Sequence, residues 1–589
     1  MRAQLNYENR VAGGDASRVS NVPRCSGDVN AVIGQLRDLL GHRHVLTGAR
    51  RTRRYSTGYR FGSGTVVGVL RPGSLVQLWK ALQVCVEAGL VIIMQAANTG
   101  LTGGSTPDGD DYDHEVVIVS TTRLSGLYLL DGGRQVVCLP GVTLYDLERA
   151  LKPIGREPHS VIGSSCLGAS VFGGIANNSG GALIRRGPAF TELALYAQVD
   201  AEGKLKLVNH LGIELGRSPS EILSRLEKGD FEAADVIHDP DRAASDHDYE
   251  RHVRDIDAVT PARFNADPRR LREASGNAGR LAVFAVRLDT FPKDAVTSVF
   301  YIGSNDVDEL SAVRRRMLRD FSVLPVSAEY MHETAYDIAE RYGKDTFLAI
   351  RHLGTDRLPM LFSLKARLDA FAARTGVARP GLSDRVLQRL AERLPPHLPK
   401  RMQAFRTRYA HHLIVKMADD GIVEARDLLA SMFPSRTGDV FECTAKEAEG
   451  AFLHRFAAAG AAVRYRAVHA DVVEDIVALD IALPRNASEW FETLPPALGA
   501  SILHKLYYGH FFCHVFHQDY IIAKGADPLS IEHAMWDLLD ERRAEYPAEH
   551  NVGHLYQAKA GLSAFYRALD PCNQMNPGIG QTSKHRHWR

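Results

Sequence analysis

Three histidines and a Glu-His pair crowd the C-terminal part of the chain. His510, His514 and His517 lie in "YYGHFFCHVFHQDYI", and Glu549 and His550 in "YPAEHNVGHLY". A neutral imidazole is a ligand for a divalent metal, and a carboxylate beside a histidine suits a metal ligand next to a general base. His510 and His517 are seven residues apart. On a helix that spacing gives one face; within one strand it gives opposite faces. Satisfied core histidines are the alternative, and the density of histidines favours function. Arg464, Arg466 and His469 follow one another closely in "AAVRYRAVHADVVED". Either arginine could hold a substrate carboxylate through a bidentate pair, and an ordinary salt bridge is the competing role.

Two glycine-rich segments could cradle an anion. The first, "QAANTGLTGGSTP" from Gln95 to Pro107, offers Gly100, Gly103 and Gly104 among hydroxyl and amide side chains. It lacks the Gly-Lys-Ser/Thr of a Walker loop, and its spacing is not the G-x-G-x-x-G of a Rossmann turn. What remains is a strand-to-loop cradle that neutralises a diphosphate with backbone N–H groups. The second segment, "GSSCLGASVFGGIANNSGGALIRRG", runs from Gly163 to Gly187. Two cradles imply one elongated ligand touched from two sides, and a flavin dinucleotide fits.

The elements that position these residues are legible in part. "TVVGVL" (Thr65–Leu70), "VIIM" (Val91–Met94), "EVVIVS" (Glu115–Ser120) and "GRLAVFAVRLDTF" (Gly279–Phe291) read as strands. "SLVQLWKALQVCVEAGL" has helical apolar spacing, with Ser74 and Gln77 placed as a capping box. "TLYDLERALKP" reads as a short helix capped by Thr143. "HDPDRAASDHDYERHVRD" reads as a surface excursion. The first half is therefore α+β, and 589 residues imply two or three domains.

Composition limits the function classes. A net charge of +1 argues against general nucleic-acid binding. Seven scattered cysteines, with no C-x-x-C pair, read as an intracellular chain without a disulfide framework. There is no secretory signal and no spanning apolar run, so any membrane contact is peripheral. Between Asp384 and Lys416, eight basic residues face only Asp384 and Glu392, with leucines interspersed and "LPPHLP" as a break. Such a segment can lie on an anionic membrane surface, or form a solvated helical face.

Taken together, these motifs resemble the quinone-linked respiratory D-lactate dehydrogenases. These belong to the flavoprotein superfamily of vanillyl-alcohol oxidase and p-cresol methylhydroxylase (PCMH). The resemblance runs nearly end to end. It is most specific in "QAANTGLTGGSTPDGDDYD", "GREPHSVIGSSCLGASVFGGIANNSGGALIRRGPAFTE", "LYYGHFFCHVFHQDYI", "YPAEHNVGHLY" and "MNPGIGQTSK". It implies a PCMH-type FAD-binding domain over 1–289 and 541–589, its core about 42–215, and an α+β cap domain over 290–331 and 408–540. Residues 332–407 would form a basic, partly helical, membrane-contacting segment. It assigns FAD binding to Ala96, Ala97, Asn98, Thr99, Gly100, Gly104, Ser105, Gly163, Ser170 and Gly180, and to the backbone of Val283. Some relatives attach FAD through a histidine before the first loop; Met94, Gln95 and Ala96 offer none, so non-covalent FAD is expected.

Related 2-hydroxy-acid dehydrogenases carry H-x6-H and a later Glu-His as a divalent-metal site and base. His510, His517, Glu549 and His550 match, although "FFCHVF" replaces the usual glycines between the first two. The implied reaction oxidises D-lactate to pyruvate. Arg464 or Arg466 would hold the carboxylate, His550 would take the hydroxyl proton, and His510, His517 and Glu549 would hold any metal. Imidazole titrates near ~6.5, which suits a base at neutral pH. Electrons would pass from FAD to a membrane quinone, with the protein bound to anionic phospholipid on the cytoplasmic face of a bacterial inner membrane. Two alternatives stay open: a related flavin dehydrogenase of 2-hydroxyglutarate or glycolate, and a non-catalytic flavin-binding protein.

Overall fold

The structure, a computed structural model, describes residues 28–159, 168–354 and 382–589, so Gly163 lies outside the described residues. The chain forms two compact units. Among the described residues, the FAD-side unit comprises 28–249, 263–293 and 547–589, and the sheet unit comprises 250–262, 294–354 and 382–546.

The FAD-side unit holds two separate sheets. Its four-stranded sheet is ordered Val45–Leu46, Gly68–Leu70, Val116–Ser120, Val91–Gln95, and its last three strands are parallel. Val91–Gln95 is buried at every position, as parallel strands covered on both faces must be. The helix Leu75–Glu87 packs Leu78, Trp79 and Leu82 into the same core. Ser74 caps it by accepting the Gln77 N–H at 3.1 Å, while the Gln77 side chain reaches the Gly73 N–H rather than that of Ser74. Thr143 and Asp146 complete a full capping box on the helix Leu144–Leu151. The second sheet is antiparallel and five-stranded, with Ala282–Asp289 at its centre.

The sheet unit is built on seven antiparallel strands. Their order is Gly438–Glu442, Thr297–Ser304, His411–Ala418, Ser327–His332, Ile502–His510, Val515–Ala523, Val473–Ala482. One face carries Tyr301, Ile414, Met331, Tyr508 and Ile521, which pack against the helices Glu333–Tyr342 and Ala445–Val468.

One sequence expectation changes here. The stretch read as a surface excursion is partly interior: Tyr249 is fully buried, and Asp246 shares the buried Arg270 with Asp267. The basic run divides at the proline break that its sequence shows. Leu382–Glu392 and Lys400–Arg406 are helices, whereas Lys416 lies in a strand. Its charges find acids distant in sequence: Arg401 pairs with Glu447, Arg406 with Glu333 and Asp337, and Arg408 with Asp439. Val386, Leu390 and Leu394 nevertheless stand exposed.

Burial in the sheet unit sets a pH response. Desolvation lowers His332 to about 3, His411 to about 4 and His454 to about 3. These groups are bases with depressed folded values, so the folded state keeps them neutral. Their stabilisation is complete above the unfolded value of ~6.5 and is lost as pH falls toward ~4, by about 1.4 kcal/mol per pH unit for each. Urea midpoints should therefore drop between pH 7.5 and pH 5.

Candidate active site

In the FAD-side unit, the first glycine loop leaves the buried strand Val91–Gln95. Gln95 clamps it, donating from Nε2 to the carbonyls of Tyr55 at 2.8 Å and Ser105 at 2.7 Å. Asn98 adopts a left-handed backbone with φ 53°. Its side chain donates to Thr57 O at 3.0 Å and accepts from the Ser105 hydroxyl at 3.0 Å. Gly103 is also left-handed, with φ +77°. At Gly104 a Cβ would stand 2.8 Å from the Asn551 amide, so any larger residue would push that side chain aside. Among the described residues, the backbone N–H groups of Ala97, Asn98, Thr99 and Gly100 have no protein acceptor. Backbone donors are rarely left unpaired, and a run of them matches the oxygens of a diphosphate. The loop thus fits the phosphates of FAD.

The second glycine segment has other duties as well. Ser170 caps the helix Val171–Ala176 by accepting the Gly173 N–H at 3.0 Å. Val283 is buried on the central strand opposite Tyr196, and a register shift follows it. At Gly180 a Cβ would stand 2.1 Å from Glu549 Oε1. That glycine admits the Glu549 carboxylate, whose Oε1 accepts the Gly181 N–H at 3.0 Å and Arg263 Nη2 at 2.8 Å. Arg263 also donates to the carbonyls of Leu183 and Gly181. His550 follows, half-buried.

In the sheet unit, His510 and His517 come together through a hairpin. His510 ends the strand Ile502–His510, a short 3-10 turn covers Phe511–Cys513, and His514 takes a left-handed φ of 51°. The return strand pairs His517 with Tyr508, so His517 and His510 share one sheet face. Their rings lie 5.3 Å apart and nearly perpendicular. Each has a carboxylate at Nδ1: Glu329 at 2.6 Å from His510, and Asp480 at 3.4 Å from His517. Glu329 also faces Arg455 at 3.0 Å, and Arg455 lies over the Tyr508 ring. At His510, Nδ1 donates to the Glu329 carboxylate, so Nε2 carries the imidazole lone pair. That is the usual arrangement of a metal-ligating histidine with its supporting carboxylate. The chemistry of this donor set fits a divalent cation.

His514 is different. It is buried, and its Nδ1 meets Pro484 O at 3.0 Å, so it builds the turn. Arg464 and Arg466 are both engaged by protein acids. Arg464 spans Asp345 at 2.8 Å and Asp384 at 2.7 Å, and Arg466 pairs with Asp475. It is Arg455, on the same helix, that joins the His510 network. Glu329, Asp480, Arg455 and Arg263 were invisible to motif reading, because each reaches its partner from a distant part of the chain.

Comparison with known proteins shows the family. A family model described as "FAD binding domain" matches residues 66–208, and one described as "D-lactate dehydrogenase, membrane binding" matches 299–588. The quinone-dependent D-lactate dehydrogenase of Escherichia coli is 57% identical over 95% of this chain and 98% of its own. That of Corynebacterium glutamicum is 44% identical over 94% of this chain and 97% of its own. The chain belongs to the quinone-dependent D-lactate dehydrogenases. Among solved structures, p-cresol methylhydroxylase with substrate bound superposes with a TM-score of 0.56. Identity is 13%, covering 95% of this chain and 98% of that one, so the likeness is of fold. The PCMH-type α+β fold and FAD binding expected from sequence both hold. Among the described residues no helix is long and apolar enough to cross a membrane.

Proposed function

We propose that this chain oxidises D-lactate to pyruvate, with FAD as its cofactor and a quinone as the electron acceptor. The observation that carries the reading is identity of 57% across almost the whole of both chains. FAD, when bound, supplies the two-electron acceptor for the lactate α-carbon. Ala96–Gly100, Gly104 and Ser105 hold its phosphates, and Gly180, Ser170 and the Val283 backbone complete its cradle. His510 and His517 offer Nε2 to a divalent cation, which would polarise the substrate hydroxyl. Glu549 enters as carboxylate ligand, and His550 as the base for the hydroxyl proton, from the sequence pattern. Arg464 and Arg466 have protein carboxylates as partners, which supports a structural role in place of the substrate clamp. The decisive experiment is anaerobic. D-lactate should bleach the yellow protein, L-lactate should not, and a short-chain quinone should restore the colour. A protein that stays yellow with D-lactate would overturn the reading.

We also propose that residues 332–407, of which 355–381 lie outside the described residues, contact anionic phospholipid on the cytoplasmic face of the membrane. The exposed Val386 and Leu390 share the helix Leu382–Glu392 with Arg385 and Arg389, which supports a surface-lying helix. The protein should float with anionic vesicles at low salt and be released at high salt, since screening weakens such attraction. Equal binding to neutral and anionic vesicles would reject the placement.

A further inference from the structure

A second basic surface lies in the FAD-side unit, far in sequence from the run between Asp384 and Lys416. Between Asp38 and Glu87 the chain carries eight lysines and arginines and no acid. Half of them fall on one helix, Ala49–Ser56, with the sequence ARRTRRYS. Thr52, Tyr55 and Ser56 are buried and fix that helix to the unit. Arg50, Arg51, Arg53 and Arg54 are all exposed. The helix therefore lies flat, about 12 Å long, with four guanidiniums on its outer side.

These arginines have no acid to answer them. Among the described residues, none of the four has an ion-pair partner, and neither do the exposed Arg43 and Arg123. Arg54 turns to the hydroxyl and ring of Tyr55. The charge continues along the fold. The helix packs against the strand Gly68–Leu70, and Arg71, which follows that strand, donates its N–H to His44 O at 2.9 Å. Arg123 donates to Arg71 O at 2.8 Å. Burial, with the like charges of Arg123, Arg71 and Arg43, holds His44 below the usual imidazole range.

The run between Asp384 and Lys416 is different, because its Arg401, Arg406 and Arg408 pair with protein acids. An uncompensated cluster repels itself and attracts a polyanion. The chain as a whole carries +1, so this excess is local. Membrane association of the family brings a bilayer within reach, and the region matched for it, 299–588, does not include this helix. The polyanion at a bilayer is the phosphate plane of acidic lipids, and a flat cationic helix matches a plane.

We propose that the helix Ala49–Ser56, flanked by Arg43, Arg71 and Arg123, is a second lipid-contacting surface that binds the phosphates of anionic phospholipid. The proposal rests on membrane association and not on the placement of residues 332–407. It ties the FAD-side unit itself to the bilayer. The helix runs directly into the support of the FAD loop, where Tyr55 O accepts from Gln95 at 2.8 Å and Thr57 O from Asn98 at 3.0 Å. Headgroup contact at Arg53 and Arg54 is therefore made beside the clamp on the diphosphate cradle.

The test uses the FAD-loaded full chain, sedimented at low salt with vesicles of phosphatidylcholine containing phosphatidylglycerol. Each arginine near such a surface is worth about fivefold in binding, so Arg50→Gln, Arg51→Gln and Arg53→Gln together should weaken partitioning by about a hundredfold. The same triple change to lysine keeps the charge and should stay within about threefold of the unaltered protein. FAD content and turnover with a phenazine dye should hold in both variants, because all three side chains are exposed. Undiminished partitioning of the glutamine variant would overturn the proposal, and so would loss of its FAD at undiminished partitioning. A parallel Arg385→Gln, Arg389→Gln variant separates the two surfaces. Loss confined to it would reject the helix Ala49–Ser56 and leave the placement of residues 332–407 standing, and the reverse pattern would do the opposite. Tighter binding of the unaltered protein to duplex DNA than to the vesicles at the same salt would assign the patch to nucleic acid and reject the lipid surface. A measurement without substitutions guards against misfolding. Vesicles should slow phenylglyoxal labelling of Arg50 to Arg54 in the unaltered protein, and labelling indifferent to them would overturn the proposal.

Discussion

Arg263→Leu should destabilise the FAD-side unit by about 3–5 kcal/mol, the usual cost of stranding one member of a buried ion pair. Both partners are interior, with side-chain exposures of 2% for Arg263 and 9% for Glu549. The guanidinium meets Glu549 Oε1 at 2.8 Å and also satisfies the carbonyls of Leu183 and Gly181. Leucine takes the guanidinium away from the carboxylate and strips donors from two backbone oxygens in the second glycine segment. A carboxylate in that position resists ionisation or moves. Because Gly180 leaves room for the carboxylate but not for a Cβ, movement of Glu549 also disturbs the cradle. FAD content and D-lactate turnover should fall together. Urea unfolding checks the stability loss, and Glu549→Gln separates charge from contact. The amide can still accept from Gly181 and Arg263, so the double variant Arg263→Leu with Glu549→Gln should recover part of the loss. Full additivity of the two changes would show that the pair does not couple.

The same residues mark how far sequence reading reaches. Local elements were legible because their signals are local. Ser74 and Thr143 announce helix starts, and the apolar run Val91–Met94 announces a buried strand. The first glycine loop was legible because an anion cradle needs glycine where a side chain would collide, as at Gly104. The relation of His510 to His517 was not legible. Seven-residue spacing was weighed within a single helix or strand, whereas the chain turns back between them. Once Phe511–His514 are spent on the turn, cross-strand register puts both imidazoles on one face. Their carboxylates, Glu329 and Asp480, arrive from flanking strands, and no periodicity along the chain encodes strand order. The arginines failed in the opposite way. Arg464 and Arg466 were grouped with the histidines, but on this helix Arg464 points away from Arg455 and Arg466 lies about three turns further along. They meet Asp345, Asp384 and Asp475 instead.

Glu329→Leu should weaken divalent-metal binding by about 10–100-fold, the range typical when the carboxylate behind a metal-ligating histidine is lost. Glu329 does two things at His510. Its Oε1, 2.6 Å from Nδ1, holds the proton there and leaves the lone pair on Nε2. Its negative charge also raises the basicity of that lone pair. Glu329→Gln separates the two effects. The amide oxygen still accepts from Nδ1–H, so the tautomer survives while the charge is lost, and the affinity loss should be the smaller of the two. Leucine removes both and frees the ring to rotate. Each substitution also strips Arg455 of its Glu329 contact, so Arg455→Met serves as the control. If packing around Arg455 were the whole effect, that variant would match Glu329→Leu in metal affinity. If orientation of His510 is the cause, Arg455→Met should retain metal while losing stability. Metal content after dialysis against a chelator, and titration with Zn²⁺ or Mn²⁺ followed by calorimetry, read affinity directly and do not depend on turnover. Asp480, 3.4 Å from His517 Nδ1, should follow the same order with a smaller loss, because its hold on the ring is looser. A protein whose metal affinity is indifferent to both Glu329→Leu and an Asp480→Leu exchange would place the two histidines outside any metal site. D-lactate oxidation would then need no metal held by this pair.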